Sequence, residues 1–220
     1  STITNVASMA VSTVRNAMST IIAQIQSGGR ARAENIQQAK FLIDGLNLDV
    51  ETFMEAAKYA VNDTAYGLDA AAKAAAQLGA SGVTSLDKLK YSLRGISGVA
   101  AMTNSSYEEI AHIFTTVAGM GKVTNQYLDS IAIKGLNARQ TLANELGKTE
   151  EEVRNMAANG QISFDMFAKA MDDAFGAHAK EANKTFSGVT ANINAALSKI
   201  GEGFYTPLIT DTLPFLDKVN

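Results

Sequence analysis

An all-α fold is predicted for this 220-residue chain, and three observations predict it. Apolar residues recur at three- and four-residue steps, which gathers them on one face of a helix. The only prolines, Pro207 and Pro214, stand near the end, so a long stretch rich in Ala, Leu, Met, Gln, Lys and Glu runs without a breaker, and those residues favour helix. Val and Ile do not alternate with polar residues as half-buried strands require. The expected architecture is a compact multi-helix domain of short helices joined by glycine turns, with a longer N-terminal helix and a C-terminal helical extension.

Residues 1–29 supply the N-terminal helix and linker. Val6, Met9, Ala10, Val14, Ala17, Met18, Ile21, Ile22 and Ile25 form one apolar stripe. Ser, Thr, Asn and Gln interrupt every apolar run, so no membrane span of about 20 residues is expected. The first charge is Arg15, and no apolar core precedes a small-residue cleavage site, so no secretory leader is read here. The chain starts at Ser1, from which a piece of a longer protein is expected. Gly28-Gly29 is expected to break the first helix, and "RARAENIQQAKFLIDGL" to start another that presents Ile36, Ala39, Phe41, Leu42 and Ile43.

The main helical domain is expected over residues 30–205. "DVETFMEAAKYAV", "TAYGLDAAAKAAAQLGASG" and "SLDKLKYSLRGISGVAAM" each read as a helix. Residues 70–76 are nearly pure alanine, which removes few methylenes from water on burial, so their neighbours must hold them. Val189, Ile193, Ala196, Leu197 and Ile200 form a late stripe. Residues 206–220 begin an apolar C-terminal segment that includes Leu208, Ile209, Leu213, Phe215, Leu216 and Val219.

One device occurs twice. Setting Gly121 over Gly160 aligns "GKVTNQYL" with "GQISFDMF", and "SYEEI" with "TEEEV" upstream. Ser106 and Thr149 are N-cap candidates with Glu109 and Glu152 three residues on, the spacing of a capping box. Each helix is expected to stop at its glycine, in the left-handed conformation. Val123 or Ile162 then precedes a hydroxyl N-cap, Thr124 or Ser163, with Leu128 or Phe167 five residues on as the other half of a hydrophobic staple. The Gly-Met-Gly-Lys run at 119–122 is therefore a helix stop. A phosphate-cradling loop would need Gly at 116 and Ser or Thr at 123, where Thr116 and Val123 stand.

Little of the sequence points to a reaction. A net charge of −3 and a pI near 5.4 give no basic footprint for duplex nucleic acid, and "FDMFAKAMDDAF" lacks the Arg of a base-reading helix. No cysteine is present, which removes disulfides, thiolate metal sites and cysteine nucleophiles. His112 and His178 lack the i+4 partner of a helical metal site, and Asp173 and Glu181 read as surface charges paired with His178. Glu150, Glu151 and Glu152 suit the positive end of a helix dipole without a ligand, and Asp172-Asp173 reads as equally ordinary. Glu202 is the one isolated acid for a glycosidase, which needs two. No catalysis, cofactor or metal is expected.

Four segments in order carry a family resemblance. "TAYGLDAAAKAAAQLGASGV" (64–83), "LRGISGVAAMTNSSYEEIAHIFTTVAGMGKVTNQYLDSIAIKGLNA" (93–138), "ELGKTEEEVRNMAANGQISFDMFAKAM" (145–171) and "ANKTFSGVTANINAALSKIGEGFYTPL" (182–208) together resemble a tape measure protein of a long-tailed bacteriophage or prophage. The resemblance implies a virion structural protein, made in the bacterial cytoplasm and lying in the lumen of the tail tube. There it sets tail length and leaves ahead of the DNA on infection. It implies the tail tube protein, tail assembly chaperones and tail tip proteins as partners, and no catalytic residues in this domain. Self-association and membrane contact are left open. The alternative reading is a membrane-active domain assisting genome delivery, motivated by the apolar stripes at 6–25 and 208–219. Those stripes lack a Lys/Arg-rich polar face.

Overall fold

In the computed structural model the described residues are 28–182. They form helices joined by turns, and among them no strand occurs, only an isolated antiparallel bridge between Lys122 and Ser163. The chain divides into two units, residues 35–192 and residues 1–34 with 193–220. Apart from residues 28–34, the helices below belong to the first unit.

Helix α1 covers residues 28–45. Gly28 and Gly29, the site of the expected break, are themselves helical, and the residues before them lie outside the described part. A glycine costs a helix interior only about 1 kcal/mol, and the following residues, Ala31 and Ala33 among them, favour helix enough to absorb that. The stop comes at Asn47, which takes a positive φ of 56° while the Leu48 N–H reaches the Ile43 carbonyl at 3.1 Å. The stripe expected on α1 is split: Ile36, Ala39 and Ile43 are buried, whereas Phe41 is 80% exposed.

Asp49 starts α2 (Val50–Val61) by accepting from the Thr52 N–H at 2.9 Å. Helix α3 (Leu68–Ala80) is the alanine-rich helix, and it is held from outside. A Cβ at Gly79 would lie 2.5 Å from the Phe53 ring of α2, so that ring rests directly on the α3 backbone. Helix α4 (Leu86–Thr103), capped by Ser85 and stopped by left-handed Asn104, has 18 residues, or a length of about 27 Å. It packs against α2, α3, α5 (Tyr107–Met120), α9 (Phe164–Phe175) and α10 (His178–Ala182), which makes it the central helix. Leu89, Leu93, Ile96 and Val99 are wholly buried along it.

Of the polar side chains drawn into this core, Ser97 and Tyr107 find backbone partners, whereas the buried Ser92 hydroxyl finds none. The Ser97 hydroxyl donates to the Ala60 carbonyl at 2.9 Å. The buried Tyr107 hydroxyl donates to the Leu93 carbonyl at 3.1 Å, and burial pushes it above its ordinary pKa. Helices α6 (Asn125–Ile133), α7 (Ala138–Leu146) and α8 (Glu150–Ala158) pack on one another, and α7 also packs on α9.

Candidate functional site

The duplicated device is the most specific local feature of the chain, and its geometry builds outward from two helix starts. At α5 the Ser106 hydroxyl accepts from the Glu109 N–H at 3.2 Å, and the Glu109 carboxylate accepts from the Ser106 N–H at 3.0 Å. At α8 the Thr149 hydroxyl accepts from the Glu152 N–H at 3.2 Å, and the Glu152 carboxylate accepts from the Thr149 N–H at 2.8 Å. Both are reciprocal capping boxes. The backbone N–H of Ser106, helped by Lys134 at 3.6 Å, holds Glu109 below the usual carboxylate range. The Thr149 backbone does the same for Glu152.

Both helices then end on a glycine in the left-handed region, Gly121 with φ 70° and Gly160 with φ 67°. After Gly160 the Gln161 N–H reaches the Met156 carbonyl at 2.9 Å and the Gly160 N–H the Ala157 carbonyl at 3.2 Å, the paired bonds of a Schellman stop. Val123, Leu128, Ile162 and Phe167 are all buried to 1% exposure or less.

The two turns meet. Val123 donates to the Ile162 carbonyl at 2.9 Å, and Phe164 donates to the Gly121 carbonyl at 3.3 Å. With Lys122 paired antiparallel to Ser163, Val123 stands opposite Ile162, its counterpart in the other copy. The Lys122 stem crosses the second turn, where a Cβ on Gly160 would lie 2.9 Å from its Cδ.

The copies differ at their second caps. The Ser163 hydroxyl accepts from the Met166 N–H at 3.2 Å. Thr124 holds the N-cap position of α6, yet its hydroxyl makes no capping bond, contrary to the hydroxyl cap expected there. The Thr124 carbonyl already takes the Tyr127 N–H at 3.1 Å, which removes the donor the hydroxyl would have used.

A second contact was not read from the sequence. Gly95 and Gly98 lie on the face of α4 that meets α9. A Cβ at Gly98 would overlap the Phe175 carbonyl and lie 2.8 Å from the Gly176 nitrogen. Beside this contact Arg94 binds Asp172 through two bonds, Nε to Oδ1 at 2.5 Å and the terminal nitrogen to Oδ2 at 2.6 Å. Asp172 is only 5% exposed, and this ion pair accounts for its buried charge. Burial pushes its carboxyl above the ordinary value, and the guanidinium pulls the other way. Arg94 also donates to the Tyr59 hydroxyl at 3.1 Å. The Gly-x-x-Gly spacing in "RGISG" was the available signal for a close helix contact.

The remaining candidates carry no reactive arrangement. His112 and His178 are exposed. Asp173 is paired with Lys169 at 2.7 Å rather than with His178, because Lys169 lies one turn away on the same helix face. Glu202 lies outside the described residues, as do the stripes at 6–25 and 208–219. Among the described residues no group of three or more His, Asp or Glu is placed to hold a metal ion, and no helix is long and apolar enough to cross a membrane. A cleft of about 320 Å³ lies between α4, α7 and α9, lined by Tyr91, Glu145, Leu146, Asp165, Met166, Lys169 and Ala170. Its Tyr91 hydroxyl is bound to Asp165 at 3.2 Å.

This geometry is that of helices held in register by capped turns and close backbone contacts. No curated protein and no solved structure matches the chain. A family match does exist: the tape measure protein family matches residues 31–204, which spans α1 to α10 and well over half of the 220 residues. Because the match runs through both turns, the central helix and everything packed on it, the chain belongs to the tape measure protein family, a structural family of phage tails.

Proposed function

We propose that this chain is the part of a tape measure protein that docks at one end of the tail, within a molecule that sets tail length and leaves the tube ahead of the DNA. The family match over residues 31–204 carries the reading. A ruler is best made as a continuous helix at about 1.5 Å per residue. The described residues instead stop and restart at Asn47, Asn104, Gly121, Gly147 and Gly160, all at positive φ. That build supports a folded module over a linear spacer. Its contacts are to the tail tube protein, the assembly chaperones or the tail tip proteins, in the lumen of a tail assembled in the bacterial cytoplasm.

An in-frame deletion of residues 50–175 from the phage-borne gene tests this. The docking role predicts tails that fail to assemble or lack a tip. Functional tails shortened by about 1.5 Å per deleted residue would show instead that the segment is ruler. The membrane-active alternative rests on residues outside the described part. Release of dye from anionic vesicles by the intact chain would favour it.

A further inference from the structure

Helices α6, α7 and α8 form an excursion with a closed base. The chain leaves α5 at Gly121, runs through the three helices, and returns into α9 at Ser163. The outgoing and returning segments lie side by side, joined by Val123 to Ile162 at 2.9 Å and Phe164 to Gly121 at 3.3 Å. A left-handed glycine stands on each, Gly121 and Gly160. The three helices pack mainly on one another, with α7 on α9 as their principal seam with the remaining helices. Within the trio, the Asn125 side chain donates to the Arg154 carbonyl at 3.0 Å, and Arg139 binds Asp129 at 2.6 Å. Both bonds tie the excursion to itself.

The seam is incompletely filled. The 320 Å³ cleft opens along it, with Glu145 and Leu146 of α7 on one wall and Met166, Lys169 and Ala170 of α9 on the other. Along this open cleft the two walls forgo dispersion contacts with each other.

We infer that α6–α8 is a separately opening unit, which parts from the α2–α5 and α9 core along the α7/α9 seam while the paired turns stay shut as its neck. Because both ends of the excursion are fixed at one place, α6–α8 can open without displacing α5 or α9. Cooperative units of this kind are drawn from segments with few apolar contacts to the rest.

Amide hydrogen exchange on the intact chain tests it. Residues 125–158 are expected to exchange as one block, with one shared dependence on denaturant, and faster than Leu89–Val99 of α4 and Phe167–Met171 of α9. Exchange of α6–α8 only together with α4, at the rate of global unfolding, would overturn the inference. Leu146→Ala supplies a second readout by widening the seam. It is expected to speed exchange of the block roughly tenfold and leave α4 unchanged. Equal acceleration in both would overturn the inference.

Discussion

The backbone N–H of Val123 donates to the carbonyl of Ile162 at 2.9 Å, joining the two copies of one turn at corresponding residues. Each copy is specified locally by a capping box, a left-handed glycine and an apolar residue ahead of the next helix. Their meeting is a tertiary event that turns two independent stops into one bonded junction.

Gly160→Val tests the second stop. The residue sits at φ 67°, and a Cβ would press on the Lys122 stem at 2.9 Å. A β-branched residue resists that conformation, so a loss of about 2 kcal/mol is expected, read as a thermal midpoint lower by roughly 4–8 °C. An unchanged midpoint would mean the left-handed stop carries no weight.

Gly98→Ala is expected to be worse, although it adds only one methyl. The new Cβ meets backbone, the Phe175 carbonyl and the Gly176 nitrogen, and neither can rotate away. Separating α9 from α4 should cost about 3 kcal/mol. Gly45→Ala is the control: nothing lies within 4 Å of its added Cβ, and removing a helical glycine should be neutral or stabilise by about 0.5–1 kcal/mol. Equal effects of the two in urea melts would refute the close contact.

Arg94→Ala should destabilise more than Asp172→Asn. The first strands a carboxylate that is 5% exposed, whereas the second leaves a neutral amide that can still accept from the guanidinium. Breaking a fully buried pair costs roughly 3–5 kcal/mol. Arg94 is 36% exposed, so screening lowers the expectation to about 2 kcal/mol. The reverse ranking in denaturant titrations would show that the guanidinium, and not the acid, is the costly partner.

Acid should weaken the fold through its caps. Glu109 and Glu152 are held below their ordinary value of 4.5 by N-cap backbone N–H groups, and Asp49 below 3.8 by the Thr52 hydroxyl. A lowered folded-state pKa means that the unfolded chain binds protons first. The stabilisation is therefore complete at neutral pH and is lost as pH falls below about 4.5 through the depressed values. Asp172, pushed up by burial, works in the opposite direction. Chemical denaturation from pH 7 to pH 3 should show a falling midpoint, and Glu109→Gln with Glu152→Gln should flatten the fall. A double variant with the wild-type slope would exclude the caps as its source.

What could be read in advance was whatever is decided within one turn of chain. Ser106 with Glu109, Thr149 with Glu152, and the glycines at 121 and 160 satisfy local backbone groups, so their spacing in sequence is enough. Gly28 and Gly29 are helical because propensity is a weak penalty that neighbouring residues outvote. Thr124 takes the N-cap position without its side-chain bond, because a carbonyl and a hydroxyl compete for the same N–H and spacing does not say which wins. The pairing of Arg94 with Asp172 and the contact of Gly98 with Phe175 join residues more than seventy positions apart. Such contacts follow from how α9 lies on α4, which no local pattern encodes.

The closed base of the α6–α8 excursion also fixes how the molecule answers a pull. Tension applied along the chain on either side of Gly121 and Ser163 travels across the two bonds of the junction and bypasses the three helices between them. Those bonds are met end-on and part like a zipper, one after the other. Only then does residue stretch 124–162 take up load, paying out roughly 130 Å of slack at about 3.4 Å per residue. A strand drawn through a narrow tube would lengthen in a jump at this point, with the rest of the module still folded behind it.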